Sequence, residues 1–496
     1  MKDVIRRDLR LSYLVAPFRI VVPILGYVVL YPVILHGFDA AILGLWSLLA
    51  VIPQALSSID FGFSLILTRE VGATEGKDLR AAADKYRAAQ GAFLIAGPLL
   101  VAAAVIASVL LPLQHLDYST VGIQFSIIVM TATVILQRLA ALDLAILNGL
   151  GDNYYTHFVA VWSPMVFFGI AVTGALLRVP LEALSIGFLS SVVVGWVAYR
   201  WRLRSKHKAW FDVDKTPLHK VKVCGIISLM RDGWLLYAAS LGMMLRDPLL
   251  RYTIGLSIGL EAVAVYEVAM RLGRTGRDVI SSGFSALYSS FSVLIRQQEF
   301  DEMKAITSDA LLLLCLAGGG VIGGIYLFAP TLLQFWLGDI GVTMVEPTRI
   351  VCAWAAITLL NTPFWYQLLA GNSERHAAQA IWLHTLSVFL IIPVAMWVDI
   401  SLTEVLLYWL AGSILTQVYL FYYAEKLYGL VVSSFRSGPT VTVILVELLA
   451  VIVLATASAA GAISPFIATA IFGLLLVGLL FVNKSRILGW YQGSHA

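Results

Sequence analysis

The chain has 496 residues, of which 59% are hydrophobic and 13% are charged, with a mean hydropathy of +0.86 and a net charge of +4. Soluble domains have about twice that share of charged residues, so the composition excludes an ordinary soluble protein of this length. Apolar stretches of about 18 or more residues recur along the whole chain, and each is long enough to cross a bilayer core. Since backbone groups in lipid must bond internally, we predict an all-α integral membrane protein.

Hydropathy, turn and charge signals predict about 14 transmembrane helices in chain order. The apolar run behind the basic start MKDVIRRDLR is too long for a signal-peptide core and lacks a small-residue cleavage pattern, which predicts an uncleaved first span. Span 8 differs from the others because its inner half is polar. The predicted spans are 12–36, 41–68, 91–112, 122–148, 158–177, 182–199, 225–250, 260–292, 308–336, 347–370, 379–398, 402–423, 439–460 and 463–482.

Basic residues between the predicted spans indicate the orientation of the chain. The longest connection, 200–222, has eight Lys and Arg interleaved with Trp201, Trp210 and Phe211, a pattern that favours anionic membrane lipids over nucleic acid as the partner. By the positive-inside rule, this segment and both termini are predicted to be cytoplasmic. The predicted outer edges of the spans hold only Arg178, Arg251 and Arg349.

The same basic segment divides the chain into two halves. Residues 37-GFDAAILGLWSL-48 can be laid over 259-GLEAVAVYEVAM-270, and each segment follows the first span of its half, which predicts an internal duplication of the kind common in transporters. The predicted architecture is two pseudo-symmetric six-helix bundles plus two C-terminal helices. The predicted domains are an N-terminal lobe (1–200), a basic cytoplasmic linker (201–223), a C-terminal lobe (224–425), and two additional helices with a cytoplasmic tail (426–496).

Two segments of the chain carry a family resemblance. The first, 43-LGLWSLLAVIPQALSSIDFGFSLILTREVG-72, has a Gly-Leu-Trp, an Asp-x-Gly and an Arg that closes span 2, and the second is 258-IGLEAVAVYEVAMRL-272. Both resemble the Wzx-type polysaccharide flippases of the multidrug/oligosaccharidyl-lipid/polysaccharide (MOP) exporter superfamily, which also holds lipid II flippases and MATE drug exporters.

The resemblance implies a substrate and a location. The substrate would be a glycan repeat unit on a polyprenyl pyrophosphate, flipped from the inner to the outer leaflet for O-antigen, capsule or exopolysaccharide synthesis. The location would be the bacterial cytoplasmic (inner) membrane, and a polysaccharide polymerase and chain-length machinery would be the partners.

Ionisable groups inside the spans are candidate functional residues, because each costs several kcal/mol unless it is paired or faces water. Helical periodicity places five such groups of span 8 on one face. Pairs at i,i+4, Glu267 with Arg271 and Arg274 with Asp278, would make that face purely structural. Three arginines against two acids nevertheless leave positive charge, and guanidinium groups match phosphate oxygens. The five are Glu267, Arg271, Arg274, Arg277 and Asp278.

Charges in other spans extend this candidate set, each with two interpretations open. Asp60, in the Asp-x-Gly, would pair with Arg19 or carry a coupling proton. Arg138 would face a cavity or pair with Asp143. Arg246 and Arg251 would each line the cavity or anchor at the interface. Glu447 and His384 are predicted to be satisfied helix–helix contacts. The residues predicted to line a central substrate cavity are Arg19, Asp60, Arg138, Arg246, Glu267, Arg271, Arg274 and Arg277.

The sequence has no Gly-x-x-x-x-Gly-Lys-Ser/Thr loop, no metal-ligand spacing and no nucleophile motif. We therefore predict a protein that is not an enzyme and has no catalytic residue, metal or cofactor. The alternatives to a polysaccharide flippase are a MATE-like ion-coupled exporter and a lipid II flippase, with a membrane glycosyltransferase or polymerase less favoured. The driving force and the identity of the sugar stay open.

Overall fold

The computed structural model describes residues 18–56, 63–64, 67–68, 71, 80–110, 120–208, 210, 241–242, 245–282, 284, 287–371, 373–429, 431–436 and 439–484. All regular secondary structure in these ranges is helical. Eight helices there are long and apolar enough to cross a bilayer, and two shorter apolar helices lie near the N-terminus. The predicted all-α membrane fold is thus confirmed.

The chain folds as two compact units, Met1–Pro248 and Leu249–Ala496. Their boundary falls within a helix over 245–257, which we label α7. The helices of unit 1 are α1 (Phe18–Gly37), α2 (Ala40–Leu56), α3 (Arg80–Leu110), α4 (Thr120–Gly149), α5 (Asn153–Leu176) and α6 (Pro180–Lys206).

Close helix packing in unit 1 depends on small residues. At the contact between α5 and α6, a Cβ added to Gly174 would lie 1.8 Å from the Cβ of Ala183, so only glycine fits there. Elsewhere in unit 1, an apolar cluster joins α3, α4 and the C-terminal part of α6, and Trp210 is fully buried in it. Its ring meets that of Tyr86 edge-on, with centroids 5.4 Å apart.

The basic segment after span 6 differs from the prediction in two respects. Helix α6 continues to Lys206, two turns past the predicted end of the span, so the start of the predicted linker is helical. Trp210, which was expected at the lipid surface, is buried inside unit 1 instead. Trp201 is exposed as expected, and Phe211 lies outside the described residues.

Unit 2 has more and shorter helices than unit 1. A π-helical turn, Gly319–Gly323, joins α10 to α11, so one long span contains three elements. The helices are α8 (Leu260–Ser282), α9 (Leu287–Gln297), α10 (Phe300–Gly318), α11 (Gly324–Leu337), α12 (Asp339–Thr343), α13 (Val345–Leu360), α14 (Thr362–Ala370), α15 (Glu374–Trp397), α16 (Leu402–Tyr428), α17 (Val431–Arg436), α18 (Thr440–Ala459) and α19 (Pro465–Val482).

Two predicted spans of unit 2 are divided. Span 8, expected over 260–292, ends as α8 at Ser282 and resumes as α9 at Leu287, with a turn at Phe284 between them. Span 10, expected over 347–370, divides at Asn361, two residues before Pro363. Proline lacks the N–H that would continue the helix and restricts the residue before it.

The core of unit 2 places α8 against α13. A Cβ at Gly273 would lie 2.6 Å from the Val351 side chain, so the two backbones approach closely at this point. The terminal pair α18 and α19 packs on α11 through Leu327, Leu454 and Phe472.

Candidate functional site

A buried carboxylate on α8 binds two arginines. Glu267 Oε1 lies 2.7 Å from Arg271 Nη2, and Glu267 Oε2 lies 2.7 Å from Arg251 Nη2. Only 7% of the Glu267 side chain is exposed. Both ion pairs join groups of unit 2, and together the three residues keep one excess positive charge. We call Arg251, Glu267 and Arg271 the Glu267 cluster.

The two arginines of the Glu267 cluster differ in exposure. The Arg251 side chain is 9% exposed, whereas that of Arg271 is 37% exposed. Arg251 is therefore sealed against the carboxylate, while more than a third of the Arg271 side chain is exposed. A guanidinium carries five N–H donors in a planar fork, a geometry that matches anionic oxygens.

Sequence reasoning left Arg251 as an interfacial anchor or a cavity residue and missed its pairing with Glu267. The turn between α7 and α8 contains Gly259 at φ +127°, a backbone conformation that favours glycine. Arg251 and Glu267 lie equally far from Gly259 in sequence, so a tight hairpin of two helices brings them level. That spacing is the signal that would have found the pair.

A second charged group lies further along α8. Asp278 Oδ1 accepts hydrogen bonds from Arg277 Nε at 3.0 Å and from Arg277 Nη2 at 2.6 Å. The Arg277 guanidinium also lies over the ring of Trp354 on α13, at 4.9 Å from the centroid. Asp278 thus pairs with its sequence neighbour, and the i,i+4 pair of Arg274 with Asp278 stays a prediction. Arg274 is half-buried and has contacts of its own.

The buried acid of α4 is held by other helices of unit 1. Asp143 is fully buried, and its Oδ1 accepts a hydrogen bond from the Tyr86 hydroxyl at 2.5 Å. Its Oδ2 lies 3.0 Å from Arg200 Nε, an ion pair that joins α4 to α6. The sequence suggested Arg138 as the partner, but these contacts involve Tyr86 and Arg200. Arg138 itself is half-buried in α4.

The remaining members of the predicted cavity set are placed separately. Arg19 is exposed in the first turn of α1. Arg246 Nε lies 3.6 Å from Asp247 Oδ1 near the end of unit 1. Asp60 lies outside the described residues, so its suggested pairing with Arg19 stays a prediction. The central cavity shared by all these residues also stays a prediction.

A cluster of charges ties α6 to the turn between α4 and α5. Asp152 accepts hydrogen bonds from Arg202 Nε at 2.7 Å and from Lys206 Nζ at 2.9 Å, and His207 Nε2 lies 3.4 Å away. Burial raises the pKa of Asp152, but the hydrogen bonds from His207, Arg202 and Lys206 outweigh it and hold that pKa well below its usual range. These cations are therefore partly neutralised within unit 1. Among the basic residues of this segment whose positions are described, Arg204, Lys206 and Lys208 are exposed.

Two intramembrane groups predicted to be satisfied contacts have different outcomes. His384 is buried and stacks on Trp409, with centroids 6.1 Å apart, so it is a contact between α15 and α16. Glu447 is buried against the π-helical turn, so the helix–helix contact is present, but its Oε1 has no hydrogen-bond partner within the described ranges. Among the residues whose positions are described, no group of three or more His, Cys, Asp or Glu side chains is arranged to hold a metal ion.

Solved structures share the arrangement of these helices. An inward-facing multidrug resistance transporter of the MATE family in the MOP superfamily has a TM-score of 0.60 at 15% identity, over 82% of this chain and 99% of that one. Lipid II flippase MurJ, in an inward closed conformation, has a TM-score of 0.61 at 10% identity, over 90% of this chain and 98% of that one.

This chain has the MOP transporter fold.

A third structure shows the same fold with a different pocket. It is a MOP-superfamily transporter from Pyrococcus furiosus, with a TM-score of 0.61 at 17% identity, over 85% of this chain and 95% of that one. Reverse polarity of its binding pocket is said to suggest a different function for that protein. No protein-family model matches the present sequence, and no curated protein matches it significantly. The MOP fold therefore comes from the structural likeness alone.

Proposed function

We propose that the protein is a flippase that moves a polyprenyl-pyrophosphate-linked glycan repeat unit from the inner to the outer leaflet by alternating access. It works in the bacterial cytoplasmic membrane, with both termini in the cytoplasm. The glycan supplies O-antigen, capsule or exopolysaccharide synthesis, and a polysaccharide polymerase with chain-length machinery acts on it afterwards. Three observations support this function: the MOP fold, the segments resembling Wzx-type flippases, and the pairing of two arginines with one carboxylate in the Glu267 cluster.

The Glu267 cluster is the observation that carries the proposal. A single buried carboxylate positions two arginines at 2.7 Å each, so a net positive charge is held in a fixed geometry. Guanidinium donors bind phosphate oxygens in a bidentate manner. Because these side chains are already fixed in the folded protein, binding costs little further side-chain entropy. The exposed Arg271 side chain is therefore the group of this cluster that would contact a pyrophosphate headgroup.

The alternatives fit this cluster less well. A MATE-like exporter of cationic drugs would bring a cation toward two arginines that share one acid, and like charges repel in a site of low dielectric. A lipid II flippase carries the same polyprenyl pyrophosphate, so the arginines suit both, and the resembling segments favour the polysaccharide branch. A membrane glycosyltransferase or polymerase finds no support in structural neighbours that are transporters.

Substitution of Arg271 tests the grip on pyrophosphate. Arg271→Lys should reduce surface display of glycan about tenfold or more although charge is retained, because an ammonium lacks the bidentate fork and one such contact contributes about 1.5–3 kcal/mol. Arg271→Ala should be at least as damaging. Display is measured with a glycan-specific stain on intact cells, and the abundance of the protein is measured in the same membranes.

Arg349 is the matched control for these variants. It lies on α13 of the same unit, bonds Glu346 at 3.0 Å and lies over the Tyr326 ring, so it is a paired arginine with a purely local role. Arg349→Lys should leave display unchanged. A role of Arg271 in folding alone would instead lower the membrane abundance of the Arg271→Ala protein, although Arg251 still pairs with Glu267. Normal display from both Arg271 variants would contradict the proposal.

A further inference from the structure

Helix α18 has one ionisable side chain, Glu447, eight residues into a helix of 20. At about 1.5 Å per residue, the residue lies roughly 10 Å from the start of the helix, close to the middle of the span. It is 7% exposed. An acid at this depth is a functional candidate unless a partner accounts for it.

The surroundings of the Glu447 carboxyl are apolar. It lies directly against the π-helical turn, since a Cβ on Gly319 would lie 2.2 Å from its Oε2 and 2.7 Å from its Oε1. The neighbouring cluster contains Val443 one turn earlier on α18, Cys315 and Leu316 on α10, and partly buried apolar residues of α13 and α19. Because Gly319 has no side chain, the Glu447 carboxyl fills the space beside its Cα.

Within the part of the chain that the structure describes, the elements packed against α18 place no basic side chain beside Glu447. Helix α19 and the π-helical turn have none, and α11 has only Tyr326. On α10 the thiol of Cys315 faces Glu447, while Asp309, the next ionisable residue along that helix, is nearly two turns further away. On α17 the one charged residue is Arg436, 11 positions before Glu447 in sequence.

An ionised carboxylate in such a place costs several kcal/mol, and the group avoids that cost by holding a proton. Sodium would need several oxygen ligands, whereas the side chains described around this carboxyl are apolar or a thiol. The π-helical turn adds a second sign of function, because single π turns inside α-helices are frequent at functional sites.

We propose that Glu447 is a proton-binding site at mid-membrane depth, protonated while α18 packs against the π-helical turn. On loss of the proton to water, the carboxylate forms and the contact between α18 and Gly319 weakens. The site thus couples proton occupancy to the packing of the terminal helix pair within unit 2. It rests on contacts of this unit and is independent of the proposed substrate.

Infrared spectroscopy of the full-length protein in lipid nanodiscs tests the site. At pH 7 the wild-type protein should show a carboxylic C=O band that shifts in D₂O, disappears as the pH rises, and is absent from Glu447→Gln. Glu404→Gln is the matched control, since that exposed acid caps the start of α16 and should leave the band unchanged. Identical spectra from the wild type and Glu447→Gln would overturn the proposal. Loss of the band on addition of NaCl at constant pH would also overturn it, in favour of sodium.

Thermal unfolding supplies a second measurement. The wild type should lose stability relative to Glu447→Gln as pH rises, because only its folded state holds the extra proton. Gly319→Ala should displace the carboxyl and remove the pH dependence of the unfolding temperature, whereas Gly324→Ala meets open space and should retain it. A Glu447→Gln protein that fails to reach the membrane would contradict the proposal, since the amide and the protonated acid are both neutral and nearly isosteric.

Discussion

At the scale of single residues, buried charges in this protein are mostly held by partners on neighbouring helices. Glu267 is shared by Arg251 and Arg271, and Asp143 lies between Tyr86 and Arg200. Such pairing makes a buried charge tolerable, and removal of one partner leaves the other uncompensated. A local i,i+4 pattern identifies only part of these networks.

Asp152 provides a prediction at this scale. Asp152→Asn should destabilise unit 1 by about 1–3 kcal/mol at pH 7, because hydrogen bonds to Arg202, Lys206 and His207 weaken when the acceptor loses its charge. The folded pKa of Asp152 is depressed, so its contribution exists above the ordinary carboxyl pKa of about 4 and is lost as pH falls through the lower folded value.

Thermal unfolding in detergent between neutral and acidic pH measures this effect. The difference between the wild type and Asp152→Asn should be largest at neutral pH and should shrink on acidification. Asp399→Asn, at an exposed position between α15 and α16, is the control. It should leave the unfolding temperature unchanged at both neutral and acidic pH. A constant difference across the whole pH range would contradict the electrostatic account.

At the scale of helices, glycine positions determine how closely neighbouring elements approach. Gly273 lets α8 lie against α13, and a Cβ there would also come within 3.3 Å of the Val351 backbone. Because α8 carries Glu267 and Arg271 and α13 carries Trp354, this contact positions the candidate site. The two spans that divide, at Ser282 and at Asn361, are the places where serine, glycine and proline interrupt the helical pattern.

Gly273→Ala is the prediction at this scale. The added methyl should destabilise the protein by about 1–3 kcal/mol, as overpacking of a close backbone contact does. Combination with Val351→Ala should restore most of the loss. The control is Gly473→Ala on α19, which meets no atom within 4 Å and should be neutral or slightly stabilising. Thermal unfolding of the purified variants gives the comparison, and equal values for Gly273→Ala and Gly473→Ala would show that the close contact is unimportant.

At the scale of the whole molecule, orientation in the bilayer is decided by the loops. The segment before α7 is basic and the turn between α5 and α6 has a single arginine, Arg178. Because translocation of positively charged loops is disfavoured, we expect the basic segment to stay on the cytoplasmic side. Once the number of spans is known, the position of this segment determines on which side of the membrane every other connection lies.

Reporter fusions test this orientation. Fusions after Lys222 and after Arg486 should both report cytoplasm, and a fusion at Arg178 should report the opposite side. Activity of a periplasmic reporter at Lys222 or Arg486 would show that the count of about 14 spans is wrong by an odd number.

The amino-acid sequence by itself determined the membrane class, the all-α fold and most helix limits. These follow from local quantities, namely apolar length, charge between the spans and helix-breaking residues. The i,i+4 pair of Glu267 and Arg271 is local in the same sense and was predicted. Only the tertiary structure decided that Arg251 completes this cluster, that Asp143 binds Arg200, that Trp210 is buried, and that Glu447 lies against Gly319. Each of these contacts joins residues that are far apart in sequence. The distance between such residues depends on how each helix is rotated and on how deep each residue lies in the membrane, which no local pattern encodes.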